Sequence, residues 1–243
     1  MSRKKKIIYI IIVSFIIIGN LIWYFNFSST ARNKKDQKDK EIITNTYKNV
    51  DNTINEDNVI KKYQDMFSND DIIGELSINN TDLKVPIVKG KDNDYYLKRL
   101  LNKQVNSLGS VFMDYRNNTS DKKIIIYGHN SHNVYTEFHI LEKYLNRSYY
   151  SNHSIITFKD INYTYTYQIF SVYKTNKNYK HVNLNFTSEE YSEHVKWLKN
   201  NSLYDTHVPI DDDSQIIVLQ TCDISNEGEY IIVVGKKINT MSN

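Results

Sequence analysis

The stretch Ile216-Ile217-Val218-Leu219-Gln220-Thr221-Cys222 carries an aliphatic run up to the only cysteine of the 243-residue chain. Its length and composition read as a buried strand with a thiol at the carboxyl end. A lone thiol has no internal disulfide partner. Cys222 is therefore either a reactive nucleophile or core filler, since free cysteine is among the most buried residue types. Position alone leaves both readings open. A second stretch, Ile124-Ile125-Ile126-Tyr127-Gly128-His129-Asn130, ends its apolar run at Gly128 and places an imidazole at a strand-to-loop junction. A single histidine there also reads as an ordinary loop residue. A sheet in which one strand ends in a thiol and another in an imidazole is a different matter. A cysteine nucleophile needs a proton acceptor or an imidazolium beside it.

Around these two runs the periodicities alternate between strand and helix. Val59, Ile60, Tyr63, Met66 and Phe67 recur at helical spacing and predict an amphipathic helix over 56–68. Apolar runs at 72–78 and 83–88 flank the turn-type cluster Asn79-Asn80-Thr81-Asp82. A short helix is expected over 95–101, strands over 110–113 and 123–127, and a helix over 137–145. The next pair of strands is expected over 154–158 and 163–173. Strict alternation in the second would put Tyr163, Tyr165, Tyr167, Ile169, Ser171 and Tyr173 on one face. Thr187 with Glu190 forms a capping-box pattern opening a helix over 188–200. Strands over 214–221 and 229–238 close the chain. The fold class is mainly β with added helices, a mostly antiparallel barrel.

Residues 7–25 (IIYIIIVSFIIIGNLIWYF) carry no charge, and a helix of that length approaches the ~30 Å hydrocarbon thickness. The run exceeds the usual ~7–15-residue apolar core of a cleavable signal, so an uncleaved single-pass anchor is expected. Arg3, Lys4, Lys5 and Lys6 favour an inside amino terminus, against which stand Arg32, Lys34, Lys35, Lys38 and Lys40 on the far side. The organisation read from this is an anchor over 1–27, a polar tether over 28–54 and one domain over 55–243. The expected location is the cell membrane, with that domain extracellular. The net charge of +3 sits largely in the two basic runs without interleaved aromatics, which argues against a nucleic-acid partner.

Three segments, in order, resemble the sortase family, class B in particular: Ser110-Val111-Phe112-Met113-Asp114-Tyr115-Arg116-Asn117, Tyr127-Gly128-His129-Asn130 and Leu219-Gln220-Thr221-Cys222. A weaker likeness runs from Val88 through Asn93. The resemblance implies an eight-stranded sortase-type β-barrel with an N-terminal helix and a helix between two late strands. It implies a cysteine transpeptidase with Cys222 as nucleophile and His129 as general acid/base. Such an enzyme cleaves a sorting-signal peptide after Thr through a thioacyl intermediate and transfers it to a cell-wall amine. It also implies substrate-groove positions at Asn93, Tyr127, Thr221 and Asp223, with a looser alignment over His181 and Val182. The implied partners are surface proteins bearing a C-terminal sorting signal, a peptidoglycan precursor or cross-bridge amine, and the cell membrane through the N-terminal helix. No cofactor is implied.

One position departs from the family pattern. Sortases carry an arginine just before the last strand's valine run, and here Tyr230 precedes Ile231-Ile232-Val233-Val234. Tyr230 offers one neutral donor in place of a charged fork. Loss of an oxyanion donor typically costs about 10²–10³ in rate. Three accounts stand: Tyr230 donates directly, another cation such as Arg99 or Arg116 reaches the site, or the protein is a slow or non-catalytic peptide-binding relative. For Arg116 a structural ion pair with Asp114 is the preferred reading. His129, His132 and His139 match no usual zinc spacing, and Asp211-Asp212-Asp213 lacks the calcium-loop pattern, so no metal is expected. With only 7 glycines there is no phosphate-binding loop.

Overall fold

Aliphatic runs with no polar alternation demand apolar surroundings on both faces of a sheet, and the barrel supplies them. The computed structural model describes residues 3–52, 59–176 and 179–243, with the side chains of 3–13, 16, 51, 52 and 179 outside the description. Eight strands close into one barrel: β1 (Ile72–Ile78), β2 (Lys84–Lys89), β3 (Phe112–Met113), β4 (Lys123–Tyr127), β5 (Ile155–Lys159), β6 (Tyr163–Thr175), β7 (Ile216–Cys222) and β8 (Tyr230–Ser242). Their order around the barrel is β1-β2-β3-β4-β7-β8-β6-β5. Neighbours are antiparallel except β2 with β3 and β4 with β7. Among the described residues, four α-helices accompany them: α1 (Arg3–Lys48), α2 (Val59–Phe67), α3 (Arg147–Tyr150) and α4 (Ser188–Asn200). The expected helix over 56–68 is α2, its first residues lying outside the described ones. The segment Glu137–Leu145 is a 3-10 helix, and the short helix expected at 95–101 is a 3-10 turn over Tyr96–Lys98.

Two cores follow from the period-2 alternation. Ile124, Ile126, Ile217, Leu219, Ile231 and Val233 belong to the inner core. Ile125, Ile216, Val218, Ile232 and Val234 form the outer one with Tyr191, Val195 and Leu198 of α4. The predicted capping box starts α4: the Thr187 hydroxyl accepts from Glu190 N, and the Glu190 carboxylate accepts from Thr187 N. The tyrosine face of β6 does not hold along its length. A register shift between Ile169 and Ser171 inserts a bulge, so Tyr165, Tyr167 and Ile169 pack inside while Tyr173 joins the outer core. An extra residue in one strand reverses the facing of everything beyond it.

The amino-terminal expectations are corrected. Among the described residues no helix is long and apolar enough to cross a membrane, so the single-pass anchor and the membrane location are not supported. Residues 28–48, read as a tether, continue α1 without a break. Asp36, Lys40, Ile43, Thr44 and Tyr47 recur at helical spacing and are buried. Lys40 Nζ pairs with Glu137 at 2.8 Å and donates to the Gly109 carbonyl at 2.9 Å. Asp36 accepts from Ser107 N and Oγ. Charged composition mimics a solvated linker here, although two of its charges are partners in a packed interface.

Candidate active site

The parallel pairing of β4 with β7 brings the two chemistry-bearing strand ends together. Tyr127 is in register with Gln220, Gly128 N donates to Gln220 O at 3.1 Å, and Thr221 Oγ1 donates to Gly128 O at 2.8 Å. His129 and Cys222, 93 positions apart in the chain, therefore leave the sheet from adjacent carboxyl ends. The antiparallel pairing of β7 with β8 sets Cys222 directly opposite Tyr230. The turn between them is closed by Asp223 N donating to Glu229 O at 2.8 Å and passes through Gly228 at φ 83°. Cys222 ends β7, Tyr230 starts β8 and His129 follows the end of β4 by two residues, so the three belong to one rim of three neighbouring strands. Gly128 is required where it stands, since a Cβ there would meet the Phe138 ring at 2.6 Å.

Burial outweighs charge at both reactive groups of the rim. Cys222 is open to solvent, yet crowding by protein atoms pushes its thiol above the ordinary value. His129 is half-buried, and burial lowers its pKa below the usual imidazole range; the Leu97 carbonyl opposes that shift, and Lys40 of α1 adds to it. Its Nε2 lies 2.7 Å from Leu97 O. A carbonyl can only accept, so Nε2 carries the hydrogen and, in the neutral ring, Nδ1 holds the lone pair. At neutral pH the resting rim is therefore mostly thiol and imidazole. The two arginines considered from the sequence are engaged elsewhere. Arg116 is bidentate on Asp114, with Nε to Oδ1 at 2.8 Å and Nη2 to Oδ2 at 2.7 Å, and Arg99 lies over the Tyr95 ring. The preferred reading of Arg116 as a structural ion pair is the one found.

The remaining expected residues fall into two groups. Asn93 and Tyr127 converge on fully buried Asp114, donating to Oδ2 at 3.1 and 2.8 Å. Burial alone would raise the Asp114 carboxyl, but Arg116, Tyr127 and Asn93 hold it down to about 2. His181 and Val182 belong to the segment before α4. Buried His181 places Nε2 2.7 Å from Gln220 Oε1, and its carbonyl accepts from Lys123 Nζ at 2.8 Å. The Val182 carbonyl accepts from Arg116. Asp223 is buried and paired with Lys174 of β6 at 2.5 Å. Thr221 is spent on the Gly128 carbonyl.

Sequence reasoning passed over Asn130. Its Nδ2 donates to the Cys222 carbonyl at 2.9 Å and to Glu142 Oε1 at 2.8 Å, while Oδ1 lies 2.9 Å from His139 Nδ1. The only available signal was its place directly after His129.

A family model described as the sortase domain matches residues 76–238. The chain is 32% identical over 175 residues to Sortase B of Listeria monocytogenes, covering 70% of this chain and 71% of that protein. It is 33% identical over 175 residues to Sortase B of Staphylococcus aureus, with coverage of 70% and 71%. The structure of a Staphylococcus aureus sortase B–substrate complex superposes with a TM-score of 0.68 at 27% identity, over 88% of this chain and 98% of that one.

Proposed function

Since the chain belongs to the sortase family of cysteine transpeptidases, with class B sortases as its relatives, we propose that Cys222 attacks a sorting-signal peptide at the carbonyl after a threonine. His129 Nδ1 takes the thiol proton as the C–S bond forms. Tyr230 donates to the oxyanion that develops on the carbonyl oxygen. The intermediate collapses to a thioester, and the departing amine takes the proton back from His129. A cell-wall amine then attacks the thioester, forming the new amide and returning the proton to sulfur. Covalent capture conserves the acyl energy, which is what allows an amine rather than water to receive the chain. Asn93, Tyr127, Thr221, Asp223, His181 and Val182 would border the peptide through the backbone they hold. Surface proteins bearing a C-terminal sorting signal and a peptidoglycan amine are the proposed substrates.

The observation that supports this reading is the pairing of β7 with both β4 and β8, whose neighbouring ends lead to His129, Cys222 and Tyr230. The test is mass spectrometry of the protein incubated with threonine-containing sorting-signal peptides, with and without hydroxylamine. We expect an acyl adduct on Cys222, its conversion to the hydroxamate by hydroxylamine, and neither product from Cys222→Ala. The same adduct on Cys222→Ala would overturn the assignment, as would peptide cleavage that hydroxylamine does not divert.

A further inference from the structure

Beside the rim, the 3-10 helix Glu137–Leu145 presents His139 and Glu142 three residues apart, and the loop before it brings His132 to the same point. One ligand atom from each of His132, His139 and Glu142 lies within 4.8 Å of the other two. The two imidazole rings stand 6.0 Å apart at 74°, and both histidines line an open cleft of about 620 Å³. The zinc spacings read from sequence do not contain this arrangement, because a loop residue completes it.

We propose that His132, His139 and Glu142 bind one divalent transition-metal ion of the zinc class, with a fourth position left to water. Asn130 makes the cluster a built site. His139 Nδ1 faces the Asn130 carbonyl oxygen at 2.9 Å, so that nitrogen carries the hydrogen and Nε2 keeps the lone pair. This is the outer-shell contact that orients ligating histidines. The Asn130 amide also donates to Glu142 Oε1 at 2.8 Å, which leaves Oε2 for the ion, 3.8 Å from the Nδ1 of the His139 ring. Ligands at about 2.0–2.2 Å in tetrahedral array lie about 3.4 Å apart. Closing from 4.8 Å is within the swing of His132, which is exposed. Two imidazoles and one carboxylate favour zinc, cobalt, nickel or copper over calcium or magnesium. The second Asn130 N–H holds the Cys222 carbonyl, so the ion would sit one side chain from the rim.

Binding does not depend on the proposed reaction and is tested without substrate. The full chain, stripped with EDTA, is titrated with Zn²⁺ by calorimetry and with Co²⁺ by visible absorption. One equivalent should bind, with the Co²⁺ spectrum of a tetrahedral site, and Ca²⁺ should give no heat. His132→Ala, in an exposed loop, should weaken binding at least about tenfold, and Asn130→Ala about 10–100-fold. Cys222→Ser should bind as wild type does. Metal-free melting curves establish that the variants are folded. Silence of wild type in both titrations would overturn the proposal. So would unchanged affinity in His132→Ala, or loss of binding in Cys222→Ser, which would place the ion on the thiol.

Discussion

Two polar constellations lie on the same strands and use their hydrogen bonds in opposite ways. Around Asp114 and Lys123 the donors and acceptors are committed: Arg116, Tyr127 and Asn93 to one carboxylate, and the Lys123 ammonium to the His181 and Asn183 carbonyls and His194 Nε2. At the rim, Cys222 stands open to solvent and half-buried His129 keeps a basic nitrogen. The first arrangement fixes the strand ends and the segment before α4. The second keeps proton-transfer capacity uncommitted. Burial acts on both sets of groups; Arg116, Tyr127 and Asn93 outweigh it at Asp114, whereas the Leu97 carbonyl and Glu137 only reduce it at His129, and so the contrast separates residues by what their loss should cost.

The largest effect is expected at the rim. His129→Ala should lower kcat/KM by about 10²–10⁴-fold, the usual worth of a general acid/base, while the urea midpoint stays near wild type. The pH profile of wild-type kcat/KM should be a broad bell. Its acid limb should fall below 6.5, since burial lowers His129, and its alkaline limb above 9.0, since burial raises Cys222. An acid limb unchanged in His129→Ala would remove that residue from the proton path. Asp114→Ala should do the reverse. Removing the buried carboxylate leaves the Tyr127 and Asn93 donors and the exposed Arg116 without their acceptor and should lower stability by about 1–3 kcal/mol, read from urea unfolding, with the folded fraction still acylated at Cys222. A stable but inactive Asp114→Ala would erase the distinction between the two regions.

Tyr230 tests the boundary, because it pairs with Cys222 and also packs on the outer core. Tyr230→Phe keeps the ring and removes the hydroxyl, and should reduce kcat about tenfold or more with little change in KM. Tyr230→Arg, which restores the family residue, should be at least as active as wild type. Full activity in Tyr230→Phe would relieve the hydroxyl of its proposed role.

What was legible in the sequence was what short-range pattern carries. The aliphatic runs of β4 and β7, the capping box at Thr187 and Glu190, and the 137–145 spacing each name an element from its own residues. The closeness of His129 to Cys222 came through family resemblance, since nothing local in either run says that β4 and β7 pair in parallel across 93 positions. The bulge in β6 was hidden because alternation continues in the letters after it has stopped in space. Asp36 and Lys40 looked solvated because composition does not reveal a charge whose partner, Glu137 for Lys40, is 97 residues away. His132, His139 and Glu142 failed as a motif for the same reason: the loop, not the spacing, assembles them.

The smallest effect belongs to Lys123 and needs its sign worked out. Burial, aided by the nearby Arg116 charge, lowers its pKa to about 7 from an ordinary 10.5. Between those values the unfolded chain holds a proton that the folded chain has released, so stability rises with pH through that window. Below about 7 both states are charged and the contribution is flat. Two neighbours stay out of the way: burial lowers His181 to about 4 and His194 to about 3, so their titration ends as pH passes the ordinary histidine value of 6.5. The Cys222 thiol, raised above 9.0, acts in the opposite direction near and above that pH. The clean interval is pH 7.2 to 8.2 in round terms, where wild type should gain about 1 kcal/mol, bounded by the ~1.4 kcal/mol per pH unit of a single proton. Lys123→Met should abolish that slope in urea unfolding while leaving acylation at the rim intact. A slope that survives the substitution would mean that the ammonium keeps its charge among the His181 and Asn183 carbonyls, and that this network tolerates an unpaired buried cation.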